Sequence, residues 1–246
     1  MRYSAEYNGL FPELRPVMLR ACLRGEMGRV LAAGPDSALA LIGDFCFLAG
    51  RPDRGLLRKV RVPLLVPLTE GWAELIRREL GARARPFTRY ATREEPERFD
   101  RERLARMAEA LPEGVRLAPI GEEWYPALMA RSWSRDLCGN FRDGADFVRR
   151  GLGVVALRAG EPVAGAASYA VCGNGIEVEI DTDPRFRRRG LARACGAKLI
   201  LDCLDRGLFP GWDAHDRRSL ALAEQLGYRL DRPYPAFWVE EWAKGD

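Results

Sequence analysis

Apolar positions along the chain follow two periods, and the switches between them predict the elements. From Pro12 to about Ala33, the residues Leu14, Val17, Met18, Ala21, Met27, Val30 and Leu31 keep helical spacing. Gly25 weakens that helix, and Gly34, Pro35 and Asp36 end it. Ala38 to Ala49 is almost continuously apolar, and Gly43-Asp44 in its middle predicts two buried strands joined by a turn. Val60 to Leu68 is a further strand, which Pro63 and Pro67 assign to a sheet edge. Thr69 caps a helix with Trp72, Leu75, Ile76 and Leu80 on one face, and Gly81 closes it. Phe87 to Thr92 is a strand, and Asp100 to Leu111 a helix with Leu104, Met107, Ala108 and Leu111 inward.

The segment Pro112 to Gly114 is the best boundary, because it follows a helix and precedes a fresh strand. Val115 to Pro119 is that strand, followed by a helix from Glu122 to Trp133 and an irregular aromatic stretch to Phe141. A short helix around Phe147 leads to strands at Gly153–Arg158 and Pro162–Val171. In the next strand Val178, Ile180 and Thr182 alternate with Glu177, Glu179 and Asp181, so three carboxylates share one face. Asp183-Pro184 stops it, and Gly190 opens a long apolar helix to about Arg206. Gly207 to Ala214 is a short buried strand. Asp216 caps a helix that ends at Gly227. Arg229–Asp231 and Phe237–Glu240 close the sheet around a turn at Arg232–Pro235. The order predicts an α/β (α+β) chain: a smaller α/β domain over residues 1–113, then a mixed sheet flanked by helices over 114–246.

Composition removes some classes of function. The chain has 246 residues and a net charge of +4, too weak a bias to argue for nucleic acid alone. No apolar run reaches the length of a membrane span, and the first residues lack the apolar core of a signal peptide. The six cysteines are scattered without a Cys-x-x-Cys pair, which suits reduced thiols in a cytoplasmic protein. A single histidine removes most metal sites. The first half shows no glycine-rich phosphate loop and no nucleophile with a paired base, so it is read as structural or substrate-covering.

The chemistry concentrates at the start of the long helix. A helix start leaves backbone N–H groups unpaired and partly positive, which suits a phosphate. Gly190 lets a ligand approach the backbone, and Arg187, Arg188 and Arg189 surround the point with fixed charge. A pyrophosphate cradle fed by a strand of carboxylates is the result. The same arginines could serve as an RNA-backbone patch, but no aromatic residues are interleaved with them.

Arg187 to Ala192 resembles the Arg/Gln-x-x-Gly-x-Gly/Ala signature of the GNAT superfamily of N-acetyltransferases. The strand Ile180–Pro184 and the helix from Asp216 to Tyr228 resemble that superfamily's fourth strand and fourth helix, in the right order. More narrowly, Glu179–Pro184, Cys195–Leu204, Gly211–Asp216 and the segment around Arg89–Ala91 resemble the zwittermicin A resistance-type branch. The resemblance implies acetyl-CoA as cofactor and direct transfer of the acetyl group to the amine of a small molecule. It implies that the Arg188, Arg189, Gly190, Leu191 and Ala192 amides hold the pyrophosphate beside Arg187, and that Ile180, Asp181 and Thr182 pair with the pantetheine arm. Asp216 and Ser219 at the next helix start are further cofactor candidates, although an N-cap explains Asp216 as well. Glu177 or Glu179 would take the proton from the amine. The tyrosine that often protonates the departing thiolate is replaced by Ala223. His215 and Tyr234 are the substitutes the sequence offers, and a lone histidine at a strand end also has a purely structural reading. The missing tyrosine leaves a non-catalytic acyl-CoA-binding module as the alternative. The first half could itself be a degenerate GNAT-like copy, which splayed central strands would reveal.

Overall fold

The structure, a computed structural model, describes residues 5–11 and 16–243. Its first part comprises α1 (Val17–Arg24), β1 (Arg29–Ala32), β2 (Ser37–Ile42), β3 (Phe45–Gly50), α2 (Arg54–Leu57), β4 (Leu64–Pro67), α3 (Glu70–Leu80), β5 (Ala84–Thr92) and α4 (Arg101–Glu109). There follow β6 (Val115–Pro119), α5 (Tyr125–Met129), α6 (Gly144–Arg150), β7 (Gly153–Arg158), β8 (Glu161–Cys172) and β9 (Gly175–Thr182). The chain closes with α7 (Leu191–Asp205), β10 (Phe209–Gly211), β11 (Asp213–Ala214), α8 (Arg217–Leu226) and β12 (Leu230–Val239).

These strands form two mixed sheets flanked by helices, the first sheet begun by β1 and the second by β6. One runs β10-β9-β8-β7-β6, an antiparallel meander with β10 added in parallel to β9. The other runs β1-β2-β3-β4-β12-β5-β11. The last strands of the chain therefore belong to the sheet that the first half begins. β12 lies between β4 and β5, antiparallel to both, and β11 extends the edge beyond β5. Helix α1 is packed between the sheets: Val17, Met18, Leu19 and Cys22 are buried with Phe45, Phe47 and Val66 on one side and Ala167, Tyr169 and Ala170 on the other. On the outer face of the second sheet, Ala197 and Ile200 of α7 pack with Leu104 and Ala108 of α4.

Several expectations change. The helix expected over Pro12 to Ala33 stops at Arg24, where Gly25 takes a left-handed φ of 67°, and Val30 and Leu31 belong to a strand. Leu14 lies outside the described residues. The Pro63–Pro67 strand is interior rather than at an edge, because β12 arrives from the far end of the chain to cover it. The helix expected over Glu122 to Trp133 is helical only at Tyr125–Met129. The apolar run Gly207 to Ala214 is two strands that break at Trp212 and join different sheets. The two closing strands are one continuous β12, with a bulge at Asp231. The first half shares the meander-then-parallel order of the second, but its parallel pair is closed from Asp44 to Leu68 and shows no splay.

The dependence of both halves on β12 is testable. Phe237 is 1% exposed between β4 and β5. Phe237→Ala should cost roughly 3–5 kcal/mol and lower the melting temperature by about 10 °C in calorimetry. Val148→Ala, at a side chain 47% exposed, should change stability by less than about 0.5 kcal/mol.

Candidate active site

The second sheet opens at one place. β9 pairs with β10 only as far as Glu177 and Gly211. Beyond that point β10 ends, Trp212 turns the chain, and β11 joins the other sheet. β9 continues to Thr182 with β8 on one side and, among the described residues, no strand on the other. The Asp183 N–H donates to the Val163 carbonyl of β8 (3.0 Å). Amides alternate sides along a strand, so those of Ile180 and Thr182 face the gap. Thr182 N–H is covered by its neighbour's carboxylate, Asp181 Oδ1, at 2.7 Å. The bulge beside the gap lies in β8, at Tyr169, and leaves the alternation of Glu177, Glu179 and Asp181 on β9 undisturbed.

The far end of the gap meets the arginine turn. Arg187 Nε donates to the Thr182 carbonyl (3.3 Å), and Arg187, Arg188 and Arg189 are exposed. Arg188 has a left-handed φ of 61°, a conformation that costs a non-glycine residue roughly 1 kcal/mol. Gly190 continues the turn at φ 80° and stands at the N-cap of α7 without any side-chain cap. The first intrahelical bond comes from Ala194 N–H to the Gly190 carbonyl. The amides of Leu191, Ala192 and Arg193 therefore open on the helix axis, next to three guanidinium groups.

Across the gap, Arg89 on β5 binds the returning strands together. Arg89 is 5% exposed. Its Nε donates to Asp213 Oδ1 (2.7 Å) and more weakly to Tyr234 Oη (3.2 Å), and one Nη donates to the Asp213 carbonyl (3.0 Å). The other Nη donates to His215 Nδ1 (3.2 Å). Tyr234 Oη in turn donates to Asp213 Oδ2. The guanidinium also lies 4.8 Å from the ring centre of Phe45, which packs edge-on against Tyr169. Burial opposes the charge of Arg89, but Asp213 and Tyr234 hold it firmly protonated. Burial, and then the charge of Asp213, drives the Tyr234 hydroxyl well above its ordinary range.

Burial and the charge of Arg89 lower His215. Because arginine only donates, Nδ1 accepts and Nε2 carries the ring proton. In this geometry Nδ1 of His215 is engaged by Arg89 and Nε2 is left to offer one hydrogen bond; Arg89 opposes the imidazolium, whereas the charges of Asp216 and Asp213 favour it.

The carboxylates lie on the face of β9 turned toward the other sheet. Glu177 is 3% exposed, and Oε2 accepts a long bond from Met18 N–H in α1 (3.4 Å). Burial first, and Asp213 second, raises its carboxyl from 4.5 to about 8. Glu179 is half-buried and also stands at about 8, from burial and then from Asp136 and Asp181. Burial raises Asp181 to about 6, against the pull of Thr182 N–H and Arg187. Glu177 faces a cavity of about 680 Å³ lined by α1, β4, β11 and β12. A Cβ on Gly211 would lie 2.9 Å from Val17, so only glycine lets β10 come this close to α1.

Other predicted positions have ordinary partners. Asp216 accepts from the Arg218 and Ser219 amides (2.8 Å each), the helix-cap role. Ser219 Oγ accepts from Trp212 Nε1 (3.2 Å). Ala223 is fully buried on α8. Sequence reasoning gave no role to Arg89 or Asp213. The available signal was an aspartate inside the otherwise apolar Gly207–Ala214 run.

A family model for GNAT acetyltransferases matches residues 8–237, and the chain belongs to that family. It is similar to the crystal structure of a GCN5-related N-acetyltransferase-like protein from Streptococcus suis, with 42% identity, 96% of this chain and 99% of that one covered, and a TM-score of 0.91. A GCN5-related N-acetyltransferase from Kribbella flavida shares the fold at a TM-score of 0.58 and 17% identity, over 93% of this chain and 97% of its own. An uncharacterized N-acetyltransferase of Bacillus subtilis, YdfB, is 28% identical over 96 residues, which are 38% of this chain. The match spans 37% of that curated relative.

The elevation of Glu177 has a consequence for stability. The folded protein keeps a proton that the unfolded chain loses between pH 4.5 and about 8. The stabilisation is full below the lower value and is gone once the pH rises through the upper one. Glu177→Gln carries no charge at any pH. Its stability relative to wild type, from urea unfolding, should rise between about pH 5 and pH 9 by roughly 2–4 kcal/mol. A constant difference would mean that the native carboxyl is already ionised at neutral pH.

Proposed function

We propose that this member of the GNAT acetyltransferase family binds acetyl-CoA along the open edge of β9 and moves its acetyl group directly to the amine of a small molecule. The observation that carries the proposal is the continuity of that edge. Outward-facing backbone at Ile180 and Thr182 leads to an uncapped helix start ringed by Arg187, Arg188 and Arg189. An extended pantetheine arm adds to such an edge as a strand would, and a diphosphate suits the amides of Gly190, Leu191 and Ala192. Residues 114–246 supply this cofactor side, and residues 1–113 cover the acceptor side. The narrower resemblance to zwittermicin A resistance-type enzymes supports an antibiotic or a metabolite as the amine.

Glu177 is assigned as the base, because it lies at the apex of the gap and faces the cavity. Glu179, one alternation further, supports it as a second buried carboxyl. The carboxylate of Glu177 accepts a proton from the ammonium, and the free amine attacks the thioester carbonyl carbon. The tetrahedral intermediate collapses, the C–S bond breaks, and the nitrogen gives up a further proton to solvent. The departing thiolate has an ordinary pKa of roughly 8.5, close to that of Glu177, so the protonated Glu177 can return its proton to the sulfur. No tyrosine is then required at Ala223. The buried alanine there also favours a second reading, an acyl-CoA-binding module without turnover.

Incubation with acetyl-CoA and an amine panel, following free thiol and acetylated product together, decides between them. Turnover is expected, with kcat/KM rising with pH toward about 8 as Glu177 ionises. Glu177→Gln should lower kcat by about 10²–10⁴-fold. Saturable acetyl-CoA binding with no product from any amine supports the second reading. Gly190→Glu places bulk and negative charge at a left-handed position, and should abolish acetyl-CoA binding in a folded protein. Unchanged affinity would remove the cradle.

A further inference from the structure

The cavity in front of Glu177 has its own chemistry. Its volume of about 680 Å³ suits a small organic molecule. Val17, Phe47, Val66, Leu68 and Trp212 supply apolar wall, and Tyr234 lines it as well. The other carboxylates that line it already have cationic partners. Glu94 pairs with Arg20 (2.8 Å), Glu70 with Arg77 (2.7 Å), and Asp231 with Arg232 (2.9 Å). Glu95 pairs with Arg229, and Asp213 with Arg89 (2.7 Å). Glu177 differs from them. It is 3% exposed, and no lysine or arginine among the described residues lies within ion-pair distance of it.

We infer that this cavity takes the acceptor as a monoamine, a single ammonium directed at Glu177 and carried on an apolar body. The inference rests on the acetyltransferase reading for what happens to that amine, but the binding chemistry belongs to the cavity itself. One buried carboxylate without a counter-ion favours one cation. A polycationic ligand would find the remaining carboxylates already engaged. A polyhydroxylated amine would press its hydroxyl groups against Val17, Phe47, Val66 and Leu68, where hydrogen-bond partners are lacking. An alkyl or aryl body buries its surface there instead. Arg20, Arg93 and Arg232, each paired with a carboxylate, supply the polar part of the lining.

The intact protein can be titrated calorimetrically with 4-phenylbutylamine and with glucosamine, and both can be assayed as acceptors with acetyl-CoA. The phenylbutylamine should bind and be acetylated, with glucosamine at least tenfold weaker in both measurements. Leu68→Trp fills the cavity from β4's end and should weaken phenylbutylamine binding at least tenfold while leaving the Kd for acetyl-CoA within twofold. Pro235→Trp, at an exposed position on the cavity wall, provides a second filling variant should the first fail to fold. Glucosamine binding as well as or better than phenylbutylamine would overturn the inference, and so would both folded variants retaining wild-type affinity for the amine. Amine binding that both fillings weaken, without any acetyl transfer, would sustain the cavity's assignment and defeat the acetyltransferase reading. Transfer confined to glucosamine would do the reverse.

Discussion

Arg89 holds a full positive charge in the interior of the protein, and the two returning strands are arranged to satisfy it. A buried guanidinium without partners would cost several kcal/mol. Asp213, His215 and Tyr234 meet that demand from β11, the residue after it, and β12. All three lie more than a hundred residues further along the chain. The ion pair is therefore a condition on how the C-terminal segment crosses to the first sheet. That crossing is also what separates β11 from β9. The gap beside Ile180 and Thr182 exists because the chain leaves one sheet at Trp212 to reach Arg89 in the other.

The same crossing explains why the two halves cannot be treated as beads on a string. The sequence boundary near Pro112 separates two runs of strands and helices, yet β12 lies in the middle of the sheet that the first run starts. Helix α1 is fixed between the sheets, and its Met18 amide touches the carboxyl at the gap's apex. The environment of Glu177 is thus built by both halves. Burial against α1 raises its proton affinity, and Asp213, held for the sake of Arg89, raises it further.

Local features could be read from the chain. The arginine turn, Gly190 and the start of α7 fall within a few residues, so their place could be read locally, and the structure adds that Gly190 is left-handed. The face shared by Glu177, Glu179 and Asp181 follows from the period of a strand, and the strand survived as expected. Partners across the sheet could not be read in this way. Period two identifies β12 as extended but says nothing about its lying between β4 and β5. The largely apolar character of Gly207 to Ala214, interrupted by Asp213 alone, hid a change of sheet at Trp212, because both destinations are buried. The pattern of the strand Phe87 to Thr92 does not mark Arg89 as buried. Its burial depends on an aspartate, a histidine and a tyrosine that only the tertiary fold supplies.

These long-range contacts also set which polar side chains already have partners. Nearness alone would admit His215 and Tyr234 to proton transfer. Arg89 fixes the histidine's free nitrogen as an acceptor, and Asp213 engages the tyrosine's hydrogen, so both are drawn into holding the charge. Glu177 lies beside the same network without an ion-pair partner of its own among the described residues. Its proton affinity is tuned by burial rather than fixed by a salt bridge, which leaves it able to change state when a cation or a thiolate comes near. A group with an affinity close to that of a thiol can serve in both directions of one turnover. On the proposed reading the alanine at position 223 is compatible with chemistry, because Glu177 rather than a tyrosine would return the proton.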